Sequence, residues 1–154
     1  MVDVKPLWPD DWETTRKIRL RALLDAPEAF GGTYEETAKR DEASWRSWPS
    51  NGQAFAAYRD GEPVGMACGW LNPDDPDVTN LIGMWVAPDA RGTETSARLI
   101  DAVVGWAGQR GSAAVELVVY ETNARARRAY EKYGFTVDRP SHEWRGQVMR
   151  LALP

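Results

Sequence analysis

At 154 residues and 17.3 kDa, with 43% hydrophobic residues, the chain is sized for one compact core, and a single domain over residues 1–154 is expected. A net charge of -4 and a sequence pI near 5.1 provide no bulk attraction for polyanions, so nucleic acid is excluded from the expected partners. With a mean hydropathy of -0.53, no apolar run of spanning length, and an opening Met1-Val-Asp-Val-Lys-Pro6 that lacks the basic and apolar parts of a secretion signal, the expectation is a soluble cytoplasmic protein with no membrane partner.

In chain order, a strand is expected near Val2 to Leu7, then a helix from about Asp10 to Asp25 with Asp10 or Asp11 as its cap. Pro27 and Gly31-Gly32 break it. A broken helical region follows, roughly Thr33 to Trp48, with Asp41 as an internal restart and Pro49-Ser-Asn-Gly52 as its stop. Gln53 to Tyr58 and Pro63 to Leu71, joined by Asp60-Gly61, read as a β-hairpin, and Pro73-Asp-Asp-Pro-Asp77 as a loop. Cys68 is the single cysteine, which excludes an internal disulfide; its apolar setting predicts a buried, inert thiol.

Leu81-Ile-Gly-Met-Trp-Val86 has the continuous apolar character of a buried strand. Ala87-Pro-Asp-Ala-Arg-Gly-Thr-Glu-Thr-Ser96 then leads into a long helix reaching about Arg110. A loop opening a helix presents unpaired backbone N–H groups and the positive end of the helix dipole, which together attract an anion. Arg91 and Gly92 suit that use, and a plain strand-to-helix turn suits the same residues.

A strand from Ala113 to Tyr120 precedes Asn123-Ala-Arg-Ala-Arg-Arg-Ala-Tyr-Glu-Lys-Tyr-Gly-Phe135, a helix capped by Asn123 and stopped by Gly134. Helical spacing puts Asn123, Ala126 and Tyr130 along one stripe, which serves either a closely approaching ligand or ordinary packing of Tyr130 into a core. Two last strands are expected near Phe135 to Val137 and Gln147 to Leu153. A strand-helix-strand-helix unit at the centre requires one parallel pair with a right-handed crossover, the other pairings being antiparallel.

Taken together, Val86-x-Pro88-x-x-Arg91-Gly92 and Asn123-x-x-Ala126-x-x-x-Tyr130-x-x-x-Gly134-Phe135 resemble the two cofactor motifs of the GNAT superfamily of N-acetyltransferases. Pro27-Glu-Ala-Phe-Gly31 with Thr33-Tyr-Glu-Glu36 resembles the substrate-side helical region of bacterial members. The resemblance implies an α/β (α+β) fold: a twisted, mostly antiparallel sheet of about seven strands, a central parallel pair that splays apart, and four or so helices.

By the same resemblance, acetyl-CoA is the expected co-substrate, with no metal. Its arm would lie along Met84, Trp85 and Val86, and its phosphates at Arg91, Gly92, Thr93, Glu94, Thr95, Ser96 and Ala97, with Asn123, Ala126 and Arg127 contributing from the second motif. The implied chemistry is direct attack by a neutral primary amine of a small molecule, with a protein amino terminus as a sub-option and a homodimer left open. Tyr130 would be the general acid toward the leaving thiolate. Phe30, Tyr34, Asn80 and His142 are the expected acceptor contacts.

The chain departs from the family pattern at two places. Relatives that use a glutamate base place it where this chain has Asn80 or Val118; Glu116, two residues from Val118 and so on its strand face, is one catalytic candidate, and a water chain or an amine that arrives neutral is the alternative. Glu94 stands where the phosphate loop usually has glycine. A carboxylate about 5 Å from a phosphate charge costs on the order of 3 kcal/mol at an effective dielectric near 20, so a non-catalytic acyl-CoA-binding module is the second reading of this sequence. Glu94 is also expected to occupy the helix-end anion site when the cofactor is away.

Overall fold

The computed structural model describes residues 2–27, 32–92, 94–142 and 145–154. Its strands are β1 (Asp3–Leu7), β2 (Gly52–Arg59), β3 (Glu62–Leu71), β4 (Val78–Val86), β5 (Ala114–Tyr120), β6 (Thr136–Pro140) and β7 (Gly146–Ala152), joined in one sheet of order β1-β2-β3-β4-β5-β7-β6. The described helices are α1 (Trp12–Asp25), α2 (Tyr34–Ala38), α3 (Glu42–Arg46), α4 (Thr95–Gln109) and α5 (Ala124–Tyr133).

Local chemistry explains most helix starts. Thr33 Oγ1 accepts from Glu36 N at 3.1 Å to open α2, Asp41 Oδ1 accepts from Ser44 N at 2.8 Å to open α3, and Asn123 Oδ1 accepts from Ala126 N at 3.2 Å to open α5. At α1 the expected cap does something else. Asp11 turns its carboxylate back to Trp8 N, at 2.8 Å, closing a 3₁₀ turn over Pro9–Asp11 that precedes the helix.

β3 shows how the layers form. An added Cβ at Gly69 would come within 2.7 Å of the Trp106 ring on α4, so only glycine lets that helix lie this close to the sheet. The neighbouring Cys68 points the other way, toward Gly83 and Arg19 of α1. Helices α4 and α1 therefore cover opposite faces. Leu99, Ile100, Val103 and Ala107 bury one face of α4, and Ile18, Ala22 and Leu23 bury one face of α1, each at most 2% exposed.

Among the described strands only β4 and β5 pair in parallel, and their register consists of Val78 with Ala114, Thr79 with Val115 and Asn80 with Glu116. Past those residues the two strands part. On its other edge β4 keeps pairing with β3 as far as Val86 and Gly65, through a bulge that inserts one extra residue in β4 between Ile82 and Trp85. Gly83, at φ +62, supplies the left-handed conformation such a bulge needs. The sheet is thus intact on one side of β4 and open on the other.

Candidate active site

Between the parted strands lies a cleft of about 1300 Å³. Residues 80–86 of β4 form one wall and 117–120 of β5 the other, with the start of α5 and the loop before α4 across its end. Because β5 has diverged, the β5-facing backbone edge of residues 81–86 has no strand partner there among the described residues and is available to a ligand. Met84, Trp85 and Val86 all line the cleft, as do Arg91, Gly92, Ser96, Asn123, Ala126 and Tyr130. Residues far apart in sequence are brought to one place.

Arg91 is held by two elements at once. Its Nε donates to Val86 O at 2.9 Å, and its Nη2 donates to Asp25 Oδ2 at the end of α1, the same oxygen that accepts from Trp85 Nε1 at 2.9 Å. Burial opposes ionisation of Asp25, but the hydrogen bonds from Trp85 and Arg91 and the charges of Arg91 and Arg125 outweigh it and hold the carboxyl below its ordinary value. The clasp fixes the loop where β4 ends. Gly92, at φ +77, then turns the chain toward α4, whose first-turn N–H groups lack intrahelical partners.

Glu94 does not occupy that helix end. Its side chain is 57% exposed, makes no capping hydrogen bond and pairs with Arg98 at 3.5 Å, one turn along α4. A carboxylate neutralised by an i,i+4 partner and turned to solvent charges an anion far less than the sequence alone suggests. Thr95 is buried and Ala97 exposed, neither on the cleft wall; Arg127 is directed along α5 to Glu131, at 3.6 Å. Thr93 lies outside the described residues.

Tyr130 is buried beside Phe135, the two rings edge to face at 5.9 Å, and reaches the cleft from α5. Burial pushes its phenol well above the ordinary tyrosine range, so it stays protonated throughout the range of ordinary assays. Glu116 is not on the cleft wall. Its carboxylate takes Arg139 Nη2 at 2.9 Å and Arg150 Nη1 at 2.6 Å, from β6 and β7. The Arg139 hydrogen bonds first, and Arg150 with them, hold it below its ordinary pKa against a burial cost. A base kept ionised by two guanidiniums is a poor proton acceptor, and proximity to Val118 along the strand could not reveal those partners.

Of the expected acceptor contacts, Asn80 lines the cleft. Tyr34, 40% exposed, instead borders a shallow depression over α1, and His142 is exposed outside the cleft wall. Phe30 lies outside the described residues. The structure adds side chains the motifs do not contain: Arg19, Asp25 and Trp48 from the first third, and Glu121, Arg125 and Arg145 around the end of β5. Arg125 had a signal in the sequence, lying two residues after the Asn123 cap. Arg19 and Trp48 had none, since the pairing of α1 with β4 is set by the tertiary fold.

Solved structures show which class this architecture belongs to. The PaiA N-acetyltransferase of Thermoplasma acidophilum, solved with coenzyme A, matches over 99% of each chain at a TM-score of 0.76 and 16% identity. The GNAT domain of S. lividans PAT matches 99% of this chain and 90% of its own at 0.81, again at 16% identity. The fold is that of N-acetyltransferase domains. The model of the acetyltransferase (GNAT) family matches residues 12–135, and the chain belongs to that family. A mycothiol acetyltransferase of Beutenbergia cavernae is 32% identical over 119 residues, covering 77% of this chain and 39% of the relative, so the chain spans about two-fifths of that protein's length. Among the described residues no helix is long and apolar enough to cross a membrane.

Proposed function

We propose that this chain transfers the acetyl group of acetyl-CoA to a primary amine of a small molecule by direct attack. The observation that carries the reading is the parting of β4 and β5 beyond Asn80 and Glu116, which exposes the β4 backbone edge directly beside the Arg91 loop and the start of α4. The donor set fits the cofactor: backbone groups along Met84 to Val86 for an amide-bearing arm, Arg91, Gly92, Ser96 and Arg125 with a helix amino end for a diphosphate. When bound, the thioester supplies an activated acetyl carbon. Backbone N–H groups at the β4 bulge would receive the negative charge developing on its oxygen.

Tyr130 then donates a hydrogen bond to the departing sulfur. With its pKa raised by burial, it works by placing a proton near the charge rather than by acid strength. The cleft's carboxylates among the described residues are Asp25 and Glu121, and Asp25 is engaged by Arg91 and Trp85. The amine therefore enters neutral or loses its proton to water or to Glu121. The small-molecule acceptor draws support from the relatives named mycothiol acetyltransferase.

Thermal denaturation with acetyl-CoA, followed by thiol release over a panel of amines, tests the reading. Stabilisation together with amine-dependent thiol release is expected. Stabilisation alone would make the chain a binding module.

A further inference from the structure

The cleft wall carries a buried cation to which the transfer chemistry assigns no role. Arg19 lies on α1 at 9% exposure and lines the cleft, its guanidinium stacked 4.8 Å from the centroid of the Trp48 ring. It is close to the reacting strand: a Cβ placed on Gly83 would meet Arg19 Nη1 at 3.3 Å, and Gly83 directly precedes Met84. The β4 bulge puts a residue without a side chain opposite this guanidinium. Asn80, three residues back on the same strand, faces the same cleft.

We propose that the acceptor is an amine bearing a carboxylate, of the α-amino acid kind, and that Arg19 binds the carboxylate while the amine faces the thioester. The proposal rests on the transferase reading and names its substrate class. A ring-stacked guanidinium keeps its N–H groups in one plane, which is the geometry a carboxylate matches with two parallel hydrogen bonds. Burial foremost lowers the Arg19 pKa, with Cys68 opposing the shift and the nearby charge of Arg40 adding to it. Pairing also helps the chemistry. With its carboxylate neutralised by Arg19, an α-amine falls toward the roughly 7.7–8.0 of an amine beside an uncharged neighbour, which makes the neutral nucleophile accessible without a strong base.

The test compares thiol release from acetyl-CoA with the common α-amino acids, their carboxamides and the corresponding decarboxylated amines. The acids are expected to exceed both other sets by about 30-fold or more in kcat/KM. Arg19→Gln should raise the KM of the best acid at least about 30-fold, leave that of acetyl-CoA within about twofold, and level the three sets. Arg19→Lys, which keeps the charge, should retain part of the preference and serves if the glutamine variant does not fold. Wild-type turnover of carboxamides or simple amines as fast as the acids would overturn the proposal and leave the transferase intact. A preference for acids that survives in Arg19→Gln would also overturn it. Release from no amine, with acetyl-CoA still stabilising the protein, would overturn the proposal and the transferase reading together.

Discussion

Tyr130 and Asp25 show how a residue's surroundings decide its use. A buried phenol with a raised pKa cannot lose its proton below pH 10, so ionisation of Tyr130 should leave no basic limb in the pH–rate profile across that range. Tyr130→Phe keeps the packing against Phe135 and removes only the hydroxyl. Thiol release should slow by roughly ten to a thousandfold with the acetyl-CoA dissociation constant unchanged; unchanged turnover would remove the tyrosine from the mechanism. Asp25 is a depressed carboxylate, so its stabilisation is present above its ordinary 3.8 and is lost as pH falls through the lower folded value. Asp25→Asn is therefore expected to cost about 1–2 kcal/mol at pH 7, with the difference from wild type closing below about pH 4 in denaturant titrations.

At the scale of elements, Glu94 and Glu116 reverse what their positions in the sequence suggest. Each is neutralised by arginine, one within its own helix and the other across β6 and β7. Glu94→Gly should tighten acetyl-CoA by less than about tenfold, measured by calorimetric titration, because an exposed and partnered charge acts weakly at a distance. A hundredfold change would mean the carboxylate turns into the cleft. Glu116→Gln should weaken the β5–β7–β6 edge by about 2 kcal/mol, between exposed and buried ion pairs. Its acetyl-CoA KM should hold. The motif segments were legible at this scale since caps, glycine stops and periodicity are local: Asn123 caps as expected, Asp41 restarts a helix where expected, and Thr33 caps the helix that opens the broken helical region. Strand β4 begins at Val78, three residues before the apolar run that announced it, because pairing with β3 and β5 extends a strand regardless of hydropathy.

For the whole molecule, the cleft is a consequence of topology, and its occupation should register as global stability. At a concentration of acetyl-CoA about a hundred times its dissociation constant, the native state gains about 2.7 kcal/mol. For a chain of this size that corresponds to a rise of about 5–10 °C in Tm. Absence of any shift at millimolar acetyl-CoA would refute the cofactor assignment. The clasp through Asp25 ties α1 to the end of β4, so the wall carrying Arg19 and the loop carrying Arg91 belong to one connected frame.

The sequence by itself determined the order of elements, the one parallel pair and the motif residues, because each is encoded by neighbours within a few positions. It placed Met84 to Val86, Arg91 and Asn123 at a common site only through family resemblance. The tertiary structure alone decided that Asp25 holds Arg91, that Glu116 belongs to two arginines, and that Arg19 and Trp48 line the cleft. Those relations join residues from about 23 to 66 positions apart, and charge and hydrogen bonding act through space, without regard to distance along the chain.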